Sequence, residues 1–251
     1  MDKEDAGGVA AVDRAFALLA AFREGDSALT LHDLAGRTGM YKSTILRLLV
    51  SLVRSEAVVR LEDGSYQLGP MMLRWGRLYL AAVKVETHVT PILAQLAKET
   101  GESATYYTRQ QDARVCLARV DSYRAVRDHV KVGDVLPLDR GAGGRVLTAF
   151  DTPAKVRKAR ERKQLVLAAF RERDSEAAGM AAPVFGPHEV LRGAISLSGP
   201  AVRFSPAALP KFTRALLHAA GEMTSRLGGD PAILQAAQVS LGEGKVALEV
   251  D

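Results

Sequence analysis

Apolar positions recur at helical spacing through the first third of the chain and at strand spacing through much of the rest. The first run, VDRAFALLAAFRE, predicts a helix from Ala11 to Arg23 with Val12, Phe16, Leu19 and Phe22 turned inward, ended by Gly25 and Asp26. Thr30 offers an N-cap hydroxyl to a second helix with Leu31, Leu34 and Ala35 inward, and Gly39 suits the positive-φ turn after it. A third helix is expected from about Tyr41 to Ser55, with Ile45, Leu48, Leu49 and Leu52 on one stripe. AVVRL and SYQLG then read as two short strands joined through Glu62 to Ser65, where Asp-Gly is the favoured hairpin pair. Helix, turn, helix, hairpin is the order of a winged helix-turn-helix.

Pro70 can open the next helix at its first position, where a missing N–H costs nothing. In MMLRWGRLYLAAVKVE, Met72, Trp75, Tyr79 and Ala82 share a stripe, while Met71, Leu73, Leu78 and Leu80 are apolar on other faces. A helix apolar over so much of its circumference is either buried or pairs with another chain. A second domain is expected from Glu86. Thr90-Pro91 starts a helix with Leu93, Leu96, Ala97 and Thr100 inward, and Gly101 ends it. SATYYTR, ARVCLARVDS and DHVKVGDVLPL read as strands, followed by helices from about Ala142 to Phe150 and from Pro153 to Lys163. MAAPVF and LRGAISLSG are late strands, and a last amphipathic helix runs from about Ser205 to Leu227; no strand is assigned to LAAFRERDSEAAG. Short-linked strands with helices at the ends and middle predict an α+β domain on an antiparallel sheet.

At 251 residues, 47% hydrophobic and 25% charged, the composition is that of a two-domain globular protein. No segment approaches the ~20 apolar residues that cross a bilayer, and the acidic start MDKEDAGG is unlike a signal peptide. The single cysteine, Cys116, excludes an internal disulfide framework and fits a cytoplasmic protein. The net charge of +5 permits a polyanionic partner, and its distribution is more telling. Basic and acidic residues balance at ten each up to Arg77, yet from Leu34 to Ser55 there are four basic residues, Arg37, Lys42, Arg47 and Arg54, and no acidic one. The basic run at 155–163 reads as a solvated face.

The third helix carries Lys42, Ser43, Thr44 and Arg47 opposite its apolar stripe, where recognition helices meet bases and phosphates. Its start, Tyr41, and the wing residue Ser65 complete the DNA-binding candidates. In the second domain, glycines directly before a helix leave N–H groups open at its positive end. Gly141, Ala142 and Gly143 are therefore an anion cradle or merely a glycine-rich turn. Alternation puts Ser196 and Ser198 on one strand face, either satisfied by backbone or lining a ligand site. One of the pair Tyr106 and Tyr107 must face inward, and Tyr106 is taken as that wall; Cys116 is assigned to core.

VDRAFALLAAF, LTLHDLAGRTGMYKSTILRLLVSL and DGSYQLGPMMLRWG resemble, in order, the N-terminal half of the IclR family of bacterial transcriptional regulators. The resemblance continues through GES at 101–103, VGDVLPLDRGAGGRVLTAF at 132–150, GMAAPVF at 179–185 and GAISLSGP at 193–200. It implies a winged helix-turn-helix over 1–69, a dimer-contacting linker helix over 70–85, a GAF-like α/β effector-binding domain over 86–228 and a tail over 229–251. It also implies the partners: double-stranded operator DNA, a small organic acid effector, and a homo-oligomer, dimer or dimer of dimers. The effector would be held by Gly141, Ala142, Gly143, Ser196, Ser198 and Tyr106, with no cofactor and no metal. The family's pattern departs at LAAFRERDSEAAG, so which of Glu172, Asp174 and Glu176 faces the pocket stays open.

The alternative is a small-molecule enzyme with an appended helical domain. Ser196 and Ser198 lie outside any nucleophile-elbow sequence, and the five histidines, His32, His88, His129, His188 and His218, have no metal spacing. No catalytic set is assigned.

Overall fold

The computed structural model describes residues 8–23, 25–82, 84–162, 164–172 and 174–242. The acidic N-terminal start, Lys163 of the basic run and the end of the expected tail, 243–251, lie outside the described residues. The chain divides into two units, Met1–Ala81 and Ala82–Asp251.

The first unit opens with α1 (Ala10–Leu19), which is shorter than the periodicity predicts and inserts differently. Leu18 is fully buried, with Ala15, Leu19 and Phe22 packed beside it, whereas Val12 and Phe16 are exposed. Ala15, Leu18 and Leu19 of α1 reach the core, while the face carrying Val12 and Phe16 does not. α2 (Leu31–Thr38) starts as expected: Thr30 Oγ1 accepts from the Asp33 amide at 3.2 Å and the Asp33 carboxylate accepts from the Thr30 amide at 2.9 Å, a reciprocal capping box. Gly39 closes it in the left-handed region. α3 (Lys42–Arg54) buries Ile45, Leu49 and Leu52 against Leu18, Leu34 and Val58. β1 (Val58–Arg60) and β2 (Tyr66–Leu68) pair antiparallel, and Leu29 bridges to Tyr66 as a third short rung. The Gly69 amide donates to Ala57 at 2.8 Å, and a Cβ there would collide with the Glu56 carbonyl, so only glycine can leave the wing this way. α4 (Pro70–Ala82) follows; Leu73, Trp75, Leu78 and Tyr79 along it are exposed.

Three carboxylates fix this unit's turns. Hydrogen bonding to Arg37 lowers the pKa of Asp26, hydrogen bonding from Thr30 lowers that of Asp33, and hydrogen bonding from Ser65 lowers that of Asp63. Each folded-state pKa lies below the unfolded value of about 3.9, so the stability each contributes is present above that value and is lost as pH falls through the folded pKa. Amide signals of the first unit in the full chain should report its melting temperature falling as pH drops below about 4. Asp33→Asn should flatten that fall; an unchanged acid profile in this variant would remove Asp33 from the effect.

In the second unit a π-type turn, Val85–Val89, leads into α5 (Thr90–Thr100), closed by Gly101 at positive φ. The strands are β3 (Ser103–Gln110), β4 (Ala113–Val120), β5 (Val135–Pro137), β6 (Leu167–Phe170), β7 (Ala177–Phe185) and β8 (Leu191–Pro200). They form one antiparallel sheet ordered β5-β4-β3-β8-β7-β6. β6, absent from the sequence expectation, pairs Leu167 to Phe170 with Ala181 to Ala178 and makes the far edge. α5 and α8 (Leu209–Arg226) contact the sheet through β3, β4, β7 and β8, while α6 (Ala142–Ala149) packs over β6, β7 and β8. α7 (Pro153–Arg162) lies beyond α6 in sequence. α9 (Ala232–Gly242) packs on α8, so residues 232–242 of the expected tail are helical.

Candidate functional site

In the first unit, Tyr41 stands at the N-cap of α3 with 85% of its surface exposed, and Lys42, Ser43 and Arg47 are exposed with Thr44 half-buried. All five expected residues of the helix start therefore lie on its open side. Neither Lys42 nor Arg47 forms an ion pair with a described residue. Two other expectations are corrected. Ser65 is buried in the wing turn, where Asp63 Oδ1 accepts from its amide at 2.9 Å and its hydroxyl at 2.6 Å; the turn consumes the group meant for DNA. Arg37, still exposed, pairs with Asp26 and donates to the Ala21 carbonyl at 2.9 Å, so it braces α2 and its charge is partly neutralised. Lys42, Arg47 and Arg54 remain, joined by Arg60 on the wing.

The second unit holds a cavity between the sheet and the start of α6. Strand register explains its lining. Ser103, Thr105 and Tyr107 on β3 oppose Ser198, Ser196 and Ala194 on β8, which in turn oppose Gly179, Ala181 and Pro183 on β7. This face carries hydroxyls and small residues, while Ile195, Leu197 and Met180 on the other face are fully buried. Ser196, Ser198, Gly179, Ala169 and Tyr107 line the cavity, together with Gly141, Ala142 and Gly143 above them. Its volume is about 50 Å³, enough for a few waters or a ligand of several heavy atoms. The Ser198 hydroxyl oxygen is buried in it without a hydrogen-bond partner among the described residues, whereas Ser196 donates to the Leu197 carbonyl at 3.3 Å.

Tyr106 is corrected. It lies on the opposite face, paired with Ile195, and its hydroxyl donates to the Arg192 carbonyl at 3.1 Å. Tyr107 is the wall instead. Its ring lies under Gly143, where a Cβ would sit 2.9 Å away, and under the guanidinium of Arg114 at 5.2 Å. Arg114, absent from the sequence expectation, is buried and donates to the Pro137 and Arg140 carbonyls, tying β4 to the loop that delivers the cradle. The available signal was an arginine, one of two in the otherwise apolar run ARVCLARV, two residues from buried Cys116. A Cβ on Gly144 would meet both Arg114 and the Leu138 carbonyl, so α6 begins as close to that loop as backbone allows. Gly141 takes φ +77 as the N-cap. Cys116 is core: burial pushes its thiol up to about 12, out of reach of thiolate chemistry.

Two carboxylates border the cavity. Asp128 is paired with Arg119, while Glu172, from the connection after β6, is paired with Arg145 and accepts from the Gly141 amide at 2.6 Å. Of the three acids the sequence left open, Glu172 faces this cavity; Asp174 and Glu176 line a separate surface cleft beside Asp128 and His129. The amides of Ala142 and Gly143, at the first two positions of α6, have no acceptor among the described residues, as helix starts require of an anion site.

A helix-turn-helix with an open basic helix start, followed in the chain by an α+β domain with its own cavity, defines a DNA-binding regulator. Residues 11–62 match the IclR helix-turn-helix domain and residues 77–170 the bacterial transcriptional regulator IclR C-terminal domain. The chain belongs to the IclR family of transcriptional regulators. It is 26% identical over 251 residues to the transcriptional repressor IclR of Escherichia coli, covering 89% of this chain and 92% of that protein. It is 28% identical over 247 residues to the HTH-type transcriptional regulator BhcR of Paracoccus denitrificans, covering 88% of each. Among solved structures, an IclR transcriptional regulator from Alicyclobacillus acidocaldarius shares the fold with a TM-score of 0.75 at 24% identity, over 88% of this chain and 100% of that one. An IclR homolog from Microbacterium hydrocarbonoxydans complexed with 4-hydroxybenzoate shares it with a TM-score of 0.70 at 19% identity, over 86% and 98%. The relatives are regulators, and no helix among the described residues is long and apolar enough to cross a membrane.

Proposed function

We propose that this regulator binds operator DNA as a homodimer or dimer of dimers in the cytoplasm, and that a small organic acid in the second unit's cavity modulates that binding. The observation that carries the ligand reading is the cradle: Ala142 and Gly143, whose helix-start amides have no acceptor among the described residues, line a cavity with the Ser198 hydroxyl, which likewise has no partner among them. Ser196 and Tyr107 supply the rest of the polar and aromatic wall. The 4-hydroxybenzoate in the fold neighbour supports an acid as the ligand class. Tyr41, Lys42, Ser43, Thr44 and Arg47 form the DNA-reading face. The apolar side chains of α4, Leu73, Trp75, Leu78 and Tyr79, are exposed in the single chain and support pairing with a second copy.

A ligand changes DNA affinity only through unequal affinity for two arrangements of the protein. A thermal-shift screen of small aliphatic and aromatic carboxylates should give at least one stabilising hit. The same compound should shift operator affinity, by roughly 5- to 150-fold if the coupling has the usual size. A hit that leaves operator affinity unchanged would overturn the coupling, and a screen with no stabilising acid would overturn the ligand class.

A further inference from the structure

The cradle already holds a carboxylate. Glu172 Oε2 accepts from the Gly141 amide at 2.6 Å, and its other oxygen is paired with Arg145, a residue of α6 itself. Glu172 is carried by the connection between β6 and β7, which leaves β6 through Arg171 at positive φ and reaches β7 at Ala177. This is the contact that an acid entering at Ala142 and Gly143 would approach. Two carboxylates on one helix start repel each other, and the Gly141 amide and the Arg145 guanidinium together serve one of them best.

We propose that Glu172 is a built-in occupant of the ligand site, a specificity-determining residue whose carboxylate an incoming acid must displace. The proposal rests on the reading of the cavity as a carboxylate site. Displacement sets two properties of that site. It lowers affinity for every simple monocarboxylate by the free energy of the Glu172 contacts, which favours acids that recover it through further groups reaching Ser198 or the Tyr107 ring. It also frees the 171–176 connection whenever an acid is bound, so occupancy is reported at the edge of the sheet. Asp128, the other carboxylate on the lining, is neutralised by Arg119 from its own side and does not compete for the helix start.

The test is rescue of the full-length Glu172→Ala variant by acetate, with chloride at matched ionic strength as the control. Loss of the side chain should lower the melting temperature, and acetate should restore it saturably. Acetate should bind this variant at least tenfold more tightly than it binds the wild type. Hydrogen exchange across 171–176 in the wild type should rise when acetate is forced in at high concentration. Acetate that acts no better than chloride on Glu172→Ala, or equally well on both proteins, overturns the proposal. If Glu172→Ala does not fold, Glu172→Gln keeps the shape and one acceptor; it should bind acetate more tightly than wild type, and equal or weaker binding overturns the proposal as well. None of these readouts involves DNA, so an operator affinity indifferent to acids would defeat the regulatory coupling while leaving this result standing.

Discussion

Arg203→Ala is expected to destabilise the second unit by about 3–5 kcal/mol, the cost of leaving a buried ion without its partner. Glu102 is 1% exposed, and Arg203 holds it with both arms, Nε to Oε1 at 2.6 Å and Nη2 to Oε2 at 2.7 Å. The same Nη2 donates to the Val126 carbonyl at 3.0 Å, so one guanidinium ties the start of β3, the end of β8 and the loop that carries Asp128. Gly199 makes the arrangement possible, since a Cβ there would overlap the Glu102 carboxylate. Urea unfolding of the full chain should show the loss in the second unit's transition. The double variant Glu102→Leu/Arg203→Met removes both charges and should cost less than the single one, because no ion is then left buried. A single-variant cost below about 1 kcal/mol would mean the pair is solvated and that the loop is held by something else.

That ion pair was invisible in the sequence for the same reason Glu172 was. Glu102 and Arg203 are a hundred positions apart, and nothing local marks either as buried; their burial follows from the order β3-β8, which no periodicity specifies. Local signals did carry through. Thr30, Gly39, the Asp-Gly hairpin and the stripe of α3 each act within a few residues, and each is where the pattern put it. The misses fall where a second segment decides. Val12 and Phe16 have helical spacing, but α1 meets the core only near Leu18. The alternation of Tyr106 and Tyr107 requires that they face opposite ways; which one lines the cavity depends on which of them the start of α6 lies over, and the register shift opposite these two residues in β4 is equally silent in sequence. β6 is only four residues long and reads as a loop until β7 pairs with it. Among Glu172, Asp174 and Glu176, the one that turns inward is the one within reach of Arg145 and the Gly141 amide. GAGG read as an anion cradle or a glycine-rich turn; that its glycines also allow close approach to Tyr107, Arg114 and Leu138 came only with the fold.

Arg47→Ala should carry the largest functional loss. Arg47 sits on the exposed side of α3, nearly two turns past the N-cap, in the position from which a recognition helix reaches base edges. Loss of one good arginine–base contact costs about 1–3 kcal/mol, and the proposed dimer would lose it in both half-sites, so operator affinity should then fall by on the order of 2–6 kcal/mol. Non-specific DNA affinity should fall far less. Lys42→Ala, placed at the first residue of α3 where phosphates approach a helix start, should behave oppositely, weakening specific and non-specific DNA alike and reducing the salt slope by about one unit per contact. Titrations against operator and unrelated duplex at several salt concentrations separate the two roles. Equal losses on both duplexes for Arg47→Ala would assign it to the phosphate backbone. Discrimination would then have to come from Ser43 and Thr44, the remaining polar groups on that helix start, because Ser65 and Arg37 are committed to Asp63 and Asp26 within the fold.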